Sequence, residues 1–580
     1  MKTEHKKYLI IGAGPGGLQL GYFLQKAGLE YLILEKNGVP GSFFCRQPVH
    51  RKLISINKKY NYFTEDEFNW RHDWNSLLSS DPALRLTNYT DELFPTADTL
   101  LTYLADFAAK CRLDIAYHTE VKRVSKADGQ FLLKTVQGTT YTCEVLIVAT
   151  GAVAGVVPDD IEGIEHTTPY SGQSTDLDFY RNKRVGILGG GNSAFETADY
   201  LSGAAAYVHV LTKHPLKMAW DTHFVGDLRA VNNNVLDMYQ LKSLHAVLNP
   251  RIKKIEKLPN NVLKTHHAYD YPRSSPPGTL ELTREYDVII NCTGFNWVNL
   301  NLFDKTCKPA FKGKRKYPLL NEGWESQNVP HLYFAGGAMQ AIDRKSASGF
   351  IHGFRYNVRT LAHLLQHRYE QAPLATRSRV KFERSNFLDD MYARLSTTAA
   401  LFQLYGFLGD FLIFSKNRSP RLLSWAPPTP TIRPARLSCI PSFAISTVAR
   451  CANSILVTPS WRGGTGRIPT AARSCLTITP FRNGWKRPWA WILACPNPPN
   501  RAATAPGRRQ KSLRGARKTC SAFRWPNPAM IRRLSIAQAV SMPASPWSIT
   551  QRERVDRPRR HGDGIHRGEE DGRLAGAVCA

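Results

Sequence analysis

The chain has 580 residues and a formal net charge of +30, but the excess is lopsided: residues after Arg418 hold 27 Lys and Arg against 6 acids. The first 418 residues suffice for two or three domains around a large core, and their hydrophobic pattern is globular, which excludes a wholly disordered chain. A pI of about 9.7 set largely by the tail says little about partners, and no specific nucleic-acid partner is expected.

Charged residues from Met1 to Lys7 run straight into an apolar stretch, Tyr8-Leu9-Ile10-Ile11, of the kind found in a parallel strand buried on both faces. The reading expects no cleavable leader and a cytoplasmic location. A glycine-rich turn follows: Gly12, Ala13, Gly14, Pro15, Gly16, Gly17. Gly12 permits the tight turn, Gly14 lets backbone approach a pyrophosphate, and Gly17 lets the next helix pack close to the strand. The helix N-terminus offers free N–H groups and a positive dipole end to phosphates. A second apolar strand, Tyr31 to Leu34, ends in Glu35, where a carboxylate accepts hydrogen bonds from a ribose diol.

Glu144 to Thr150-Gly151 is a further apolar strand closed by Thr-Gly, where a small residue and a glycine let the chain leave one domain beside a bound cofactor. A second fingerprint then starts at Val185 and carries Gly189, Gly191, Asn192, Ser193 and Ala194. Its second strand, Tyr207 to Leu211, ends in Thr212-Lys213-His214 with no carboxylate. An acid there would repel a 2′-phosphate, whereas a hydroxyl beside a cation pairs with one, so NADPH is preferred to NADH. Asp287 to Thr293-Gly294 repeats the strand-Thr-Gly ending, and His331 to Gly337 leads to a helix beginning near Ser348. That helix N-terminus is expected to face the electron-rich pyrimidine edge of a flavin. Two dinucleotide sites in one chain point to a flavoenzyme that moves hydride from a nicotinamide to a flavin.

Several longer segments carry a resemblance: His50 to Lys58, Arg71 to Leu78, Tyr239 to Leu244 and Gly349 to Tyr356. With the two fingerprints they resemble the two-dinucleotide-binding-domain flavoproteins, and among them the flavin-containing monooxygenase-like branch, over residues 6 to about 417. The resemblance implies FAD at the first fingerprint and NADPH at the second. It also places Ser42 and Phe43, in Gly41-Ser42-Phe43, against the flavin, and Asn57 beside flavin and nicotinamide as the catalytic candidate. Lys36, Val121 and Ser348 complete the expected cofactor contacts. Arg71, His72 and Asp73 offer charge near a flavin or form a buried structural network. Two departures stand out: Gly336-Gly337 replaces a glycine-aspartate pair, and Gly163 to Tyr170 only loosely matches the monooxygenase linker pattern.

The expected architecture is α/β, with two Rossmann-like domains: an FAD domain over 1–152, an inserted NADPH domain over 153–298, and an FAD return segment over 299–372. A helical extension over 373–418 follows, in which the apolar run Leu401 to Phe414 reads as a helix packed on the flavin domain; it is too short to span a membrane. The expected reaction is reduction of FAD by NADPH and use of O₂ on a small nucleophilic substrate through a flavin hydroperoxide. An NADPH oxidase or electron carrier and a flavin-stabilised binding protein are the alternatives. Cys45, Cys111, Cys143, Cys292 and Cys307 form no CxxC pair, which disfavours a dithiol reductase. No metal site is expected.

Residues 419–580 differ in kind. No acid occurs between Asp410 and Glu553, no Tyr follows Tyr405, and 24 Arg stand against 3 Lys. Two readings remain: a functional basic extension, or an unstructured product of GC-rich DNA read out of frame.

Overall fold

The computed structural model describes residues 3–271, 278–312, 317–373 and 392–410, together with the backbone of strands over 376–378, 411–415, 418–426, 443–446 and 456–459. These lie in the first of two compact units, Met1–Arg462 with Gly576–Ala580; the second, Gly463–Ala575, falls outside the described residues, and with it most of the basic tail.

Tyr8–Ile11, Tyr31–Leu34 and Val145–Val148 bury every residue, as their unbroken apolar character demands. They form the centre of a parallel five-stranded sheet in the order Leu332–Phe334, Val145–Val148, Tyr8–Ile11, Tyr31–Leu34, Ile115–Ala116. A second parallel sheet runs Thr168–Pro169, Val288–Asn291, Arg184–Leu188, Tyr207–Leu211, Ala246–Leu248. Each sheet has its own apolar core, one around Leu9, Ile33 and Phe334, the other around Ile187, Val210 and Ile290.

The two halves share one plan. In each, strand, glycine loop, helix and strand are followed by a third strand and then by three antiparallel strands. These are Val121–Ala127, Gln130–Thr135 and Thr140–Cys143 in the first half, and Arg251–Lys257, Leu263–Tyr271 and Gly278–Tyr286 in the second. The chain then returns to the centre of the parallel sheet. Both antiparallel insertions are additions to the architecture read from sequence.

The expected helix over Leu401 to Phe414 is shorter than its apolar run. Ala399–Gln403 is helical, and Gly409–Ser415 is a strand. Between them the chain turns, with Gly406 in the left-handed region at φ +71°. Leu404 and Leu408 still bury against Trp70, Leu78 and Tyr356, so the segment does pack on the first domain. The helix expected near Ser348 begins at Ile351, three residues beyond it. Among the described residues no helix is long and apolar enough to cross a membrane.

Candidate functional site

The first glycine loop is set by backbone crowding. A Cβ on Gly12 would lie 2.8 Å from the Ala149 carbonyl oxygen, one on Gly17 2.0 Å from the Gly12 oxygen, and one on Gly16 2.6 Å from Gly336 Cα. Gly14 is different: a Cβ there meets only the Ala149 oxygen, at 4.0 Å. It opens the helix Pro15–Lys26, which has Pro at its start and no side chain capping its N-terminus. An open glycine in front of uncapped amides is the arrangement that binds phosphate groups. Beside it Thr150 Oγ1 is buried with no hydrogen-bond partner among the described residues, and Gly151 borders open space.

Glu35 is 4% exposed and already does structural work. Its Oε2 accepts from Ala13 N (2.8 Å), and its Oε1 accepts from Asn37 N and Ser42 Oγ (both 3.0 Å). A carboxylate has about four acceptor sites, so one is left for a ribose hydroxyl. The same contacts bring Ser42 to the loop, while Phe43 next to it is 39% exposed. Lys36 is exposed, and Val121 lies at an irregularity of its strand pairing.

The second loop repeats the logic with different chemistry. A Cβ on Gly189 would lie 2.4 Å from the Cys292 carbonyl oxygen, whereas one on Gly191 meets nothing within 4 Å. Gly191 heads the uncapped helix Asn192–Leu201, in which Ser193 is half-buried and Ala194 fully buried. Asn192 braces the loop: its Nδ2 donates to Asp227 O (2.9 Å), and its Oδ1 accepts from Arg229 N and Asn232 Nδ2. Thr212 is 5% exposed and donates its hydroxyl to His214 O (2.7 Å), while Lys213 pairs with Asp160. Thr293 donates to Val156 O (2.7 Å), and Gly294, at φ +97°, carries the chain across beside it.

Other candidates have their hydrogen bonds spent within the protein. Asn57 donates from Nδ2 to Thr90 O and Glu92 O, leaving only Oδ1 without a partner. Asp73 accepts from Asn75 N, Ser76 N and Ser76 Oγ, and Arg71 donates to Leu395 O and Thr398 O. Of the two readings for Arg71 and Asp73, these bonds match the buried structural network. Ser348 is fully buried between Asp343 and Asn357.

The two domains are joined through residues that the fingerprints do not include. Arg229, fixed by Asn192 on the second loop, donates Nη1 to Ile54 O (3.1 Å) and lies over the Trp74 ring at 5.5 Å. Trp74 stacks on His352 with centroids 4.2 Å apart. His50 bonds Thr197 and packs on Tyr200, and Val49 N donates to Tyr170 Oη. His352 lay inside a segment noted for its family resemblance; Arg229 and Asp160 have no local sequence signal. Cys111, Cys143, Cys292 and Cys307 carry thiols whose pKa burial raises, which works against thiolate chemistry at those four.

Comparison with known proteins agrees with this geometry. A family model described as pyridine nucleotide-disulphide oxidoreductase matches residues 9–336. FAD-dependent oxidoreductase domain-containing protein 2 of Mus musculus is 37% identical over 438 residues, covering 71% of this chain and 65% of the relative. Its counterpart in Danio rerio is 35% identical over 457 residues, covering 71% and 66%. The chain thus spans just under two thirds of the length of these curated relatives. A solved flavin-containing monooxygenase from Stenotrophomonas maltophilia aligns with 63% of this chain and 98% of its own, at 20% identity and a TM-score of 0.46. Two open glycine cradles on two Rossmann-like sheets, within a family match that covers both, lead to one conclusion: the chain belongs to the pyridine nucleotide-disulphide oxidoreductase family.

Proposed function

We propose that this oxidoreductase takes hydride from NADPH at the second loop onto FAD at the first, and uses O₂ to oxygenate a small nucleophilic substrate. The observation that carries the reading is the pair of uncapped helix N-termini, each behind an open glycine, with Glu35 beside the first and Lys213 beside the second. In that reading the domain limits are those expected from sequence: 1–152 and 299–372 for FAD, 153–298 for NADPH.

Bound FAD supplies the redox chemistry, and the protein's share is binding and orientation. Gly12, Ala13, Gly14, Gly16 and Gly17 hold the pyrophosphate, Glu35 takes a ribose hydroxyl on its remaining lone pair, and Thr150 Oγ1 offers a further bond. Gly189, Gly191 and Ser193 receive the second pyrophosphate, and Lys213 the 2′-phosphate. Arg229 and Trp74, which meet between the two domains, help exclude water there.

The test follows NADPH oxidation, O₂ uptake and peroxide on the full chain carrying FAD, with a panel of small amines and sulfides. Oxygenation is expected to show as substrate-dependent NADPH use with peroxide falling below one per NADPH. One peroxide per NADPH under every condition would make the protein an oxidase. A flavin that NADPH cannot bleach anaerobically would remove the hydride-transfer reading altogether.

A further inference from the structure

His352 is the second residue of the helix Ile351–Tyr369. The far end of that helix is tied to the amino edge of the first parallel sheet, where Tyr8 Oη donates to Glu370 Oε1 (2.6 Å) and Lys7 pairs with the same carboxylate. Its N-terminus therefore lies toward the carboxyl edge, on the side of the Gly12–Gly17 loop, where parallel α/β sheets take their ligands. His352 is 1% exposed, and neither ring nitrogen has a hydrogen-bond partner among the described residues. The ring stacks on Trp74 at 4.2 Å and 20° and on Phe350 at 5.8 Å and 17°.

A buried polar group without a partner costs about 1–3 kcal/mol, so the ring needs a ligand or forfeits that stability. Burial, then the positive charges of Arg355 and Arg229, hold the imidazole pKa well below its ordinary value. The ring is thus neutral, with one donor and one acceptor to offer. The two arginines are otherwise engaged: Arg355 donates to Ser76 O and Trp70 O, and Arg229 to Ile54 O. Arg229 also belongs to the segment that Asn192 fixes against the second glycine loop.

We propose that His352 is a flavin-binding residue whose imidazole hydrogen-bonds the isoalloxazine ring of FAD, and that the stack Arg229–Trp74–His352 transmits occupancy of the nicotinamide-nucleotide loop to that bond. This rests on the reading of the first loop as the FAD site. A purely structural histidine in the same place would have found a carbonyl or hydroxyl within the protein, as His209 does with Tyr286 Oη and His267 does with Thr265 Oγ1.

The experiment titrates FAD into the full-length apoprotein, following flavin fluorescence and the visible spectrum, with and without NADP⁺, which binds but cannot reduce. His352→Phe keeps the stack and removes both nitrogens; it is expected to weaken FAD by roughly five- to ten-fold, the worth of one lost hydrogen bond, and to shift the flavin bands. His352→Gln is expected to recover most of the affinity. Arg229→Ala is expected to abolish the spectral change that NADP⁺ induces in the bound flavin. Wild-type affinity and spectrum in His352→Phe would overturn the proposal. If His352→Phe does not fold, an unaltered NADP⁺-induced change in Arg229→Ala would overturn it instead. Failure of the wild-type chain to take FAD would refute the underlying reading of the first loop; FAD binding that ignores His352 refutes this inference alone.

Discussion

At the scale of single residues, the proposed assignment of a nucleotide to each loop turns on the contrast between Glu35 and Lys213. Glu35 is locked by three protein donors, so its position is rigid before any ligand arrives. Lys213 is about half exposed and is shared with Asp160. An exposed ion pair of that kind is worth about 0–1 kcal/mol, little against a phosphate. Lys213→Ala is therefore expected to raise the NADPH Kd about ten-fold while leaving NADH unchanged, as titration of either nucleotide would show. Asp160→Asn is expected to tighten NADPH a few-fold by releasing the lysine. Equal effects on both nucleotides would mean that Lys213 does not read the 2′-phosphate. The lysine was legible because it replaces the acid at the end of a second strand. Asp160 was not, because its partner lies 53 residues away along the chain and no local pattern announces the pairing.

Elements separate what the glycines do for the fold from what they do for a ligand. Gly17 and Gly191 belong to equivalent motifs, yet a Cβ on Gly17 would sit 2.0 Å from a backbone oxygen and one on Gly191 would touch nothing. Gly17→Ala is expected to cost at least about 3 kcal/mol, the scale of a severe core substitution, with the loss of Tm measured by calorimetry. Gly191→Ala is expected to keep wild-type Tm and lose nicotinamide-nucleotide binding.

The helix Asn192–Leu201 adds a pH effect. Burial raises the Glu196 pKa to about 7, against an opposing hydrogen bond from Tyr170. An unfolded Glu titrates near about 4.3, so the native state binds that proton more tightly, and the contribution to stability is lost as pH rises through about 7. Glu196→Gln is expected to raise Tm more at pH 8 than at pH 5; an equal shift at both would show that Glu196 does not titrate in this range. The parallel strands and glycine turns were readable because complete burial and steric crowding leave few sequences that fit. The antiparallel insertions were not, since Gly278–Tyr286 is exposed along nearly its whole length and shows no apolar run.

For the molecule as a whole, the extension from residue 392 is held by polar clamps rather than by apolar area alone. Arg71 donates to two of its carbonyls, Glu67 accepts from Thr398 and Ala399, and Arg394 pairs with the buried Asp410 (2.8 Å). Removing a clamp leaves carbonyls or a carboxylate without partners in a region that also covers Trp70 and Tyr356. Arg71→Ala is expected to speed proteolysis between 392 and 410 while FAD binding persists, and unchanged protection there would show that the clamp is dispensable.

The order of strands in the first sheet has a consequence for how the chain is made. Val145–Val148 has Tyr8–Ile11 on one side and Leu332–Phe334 on the other. The second sheet, by contrast, draws all its strands from residues 168–248 and 288–291. On the ribosome the second domain has its full set of strands while the first domain still lacks one. Until Leu332–Phe334 emerges, Val145–Val148 is an apolar edge with open hydrogen-bonding groups, the kind of surface that recruits other chains. Chains whose synthesis stalls between about residue 300 and residue 330 are therefore the aggregation-prone species, and the last-made strand acts as the closing step of the first-started domain.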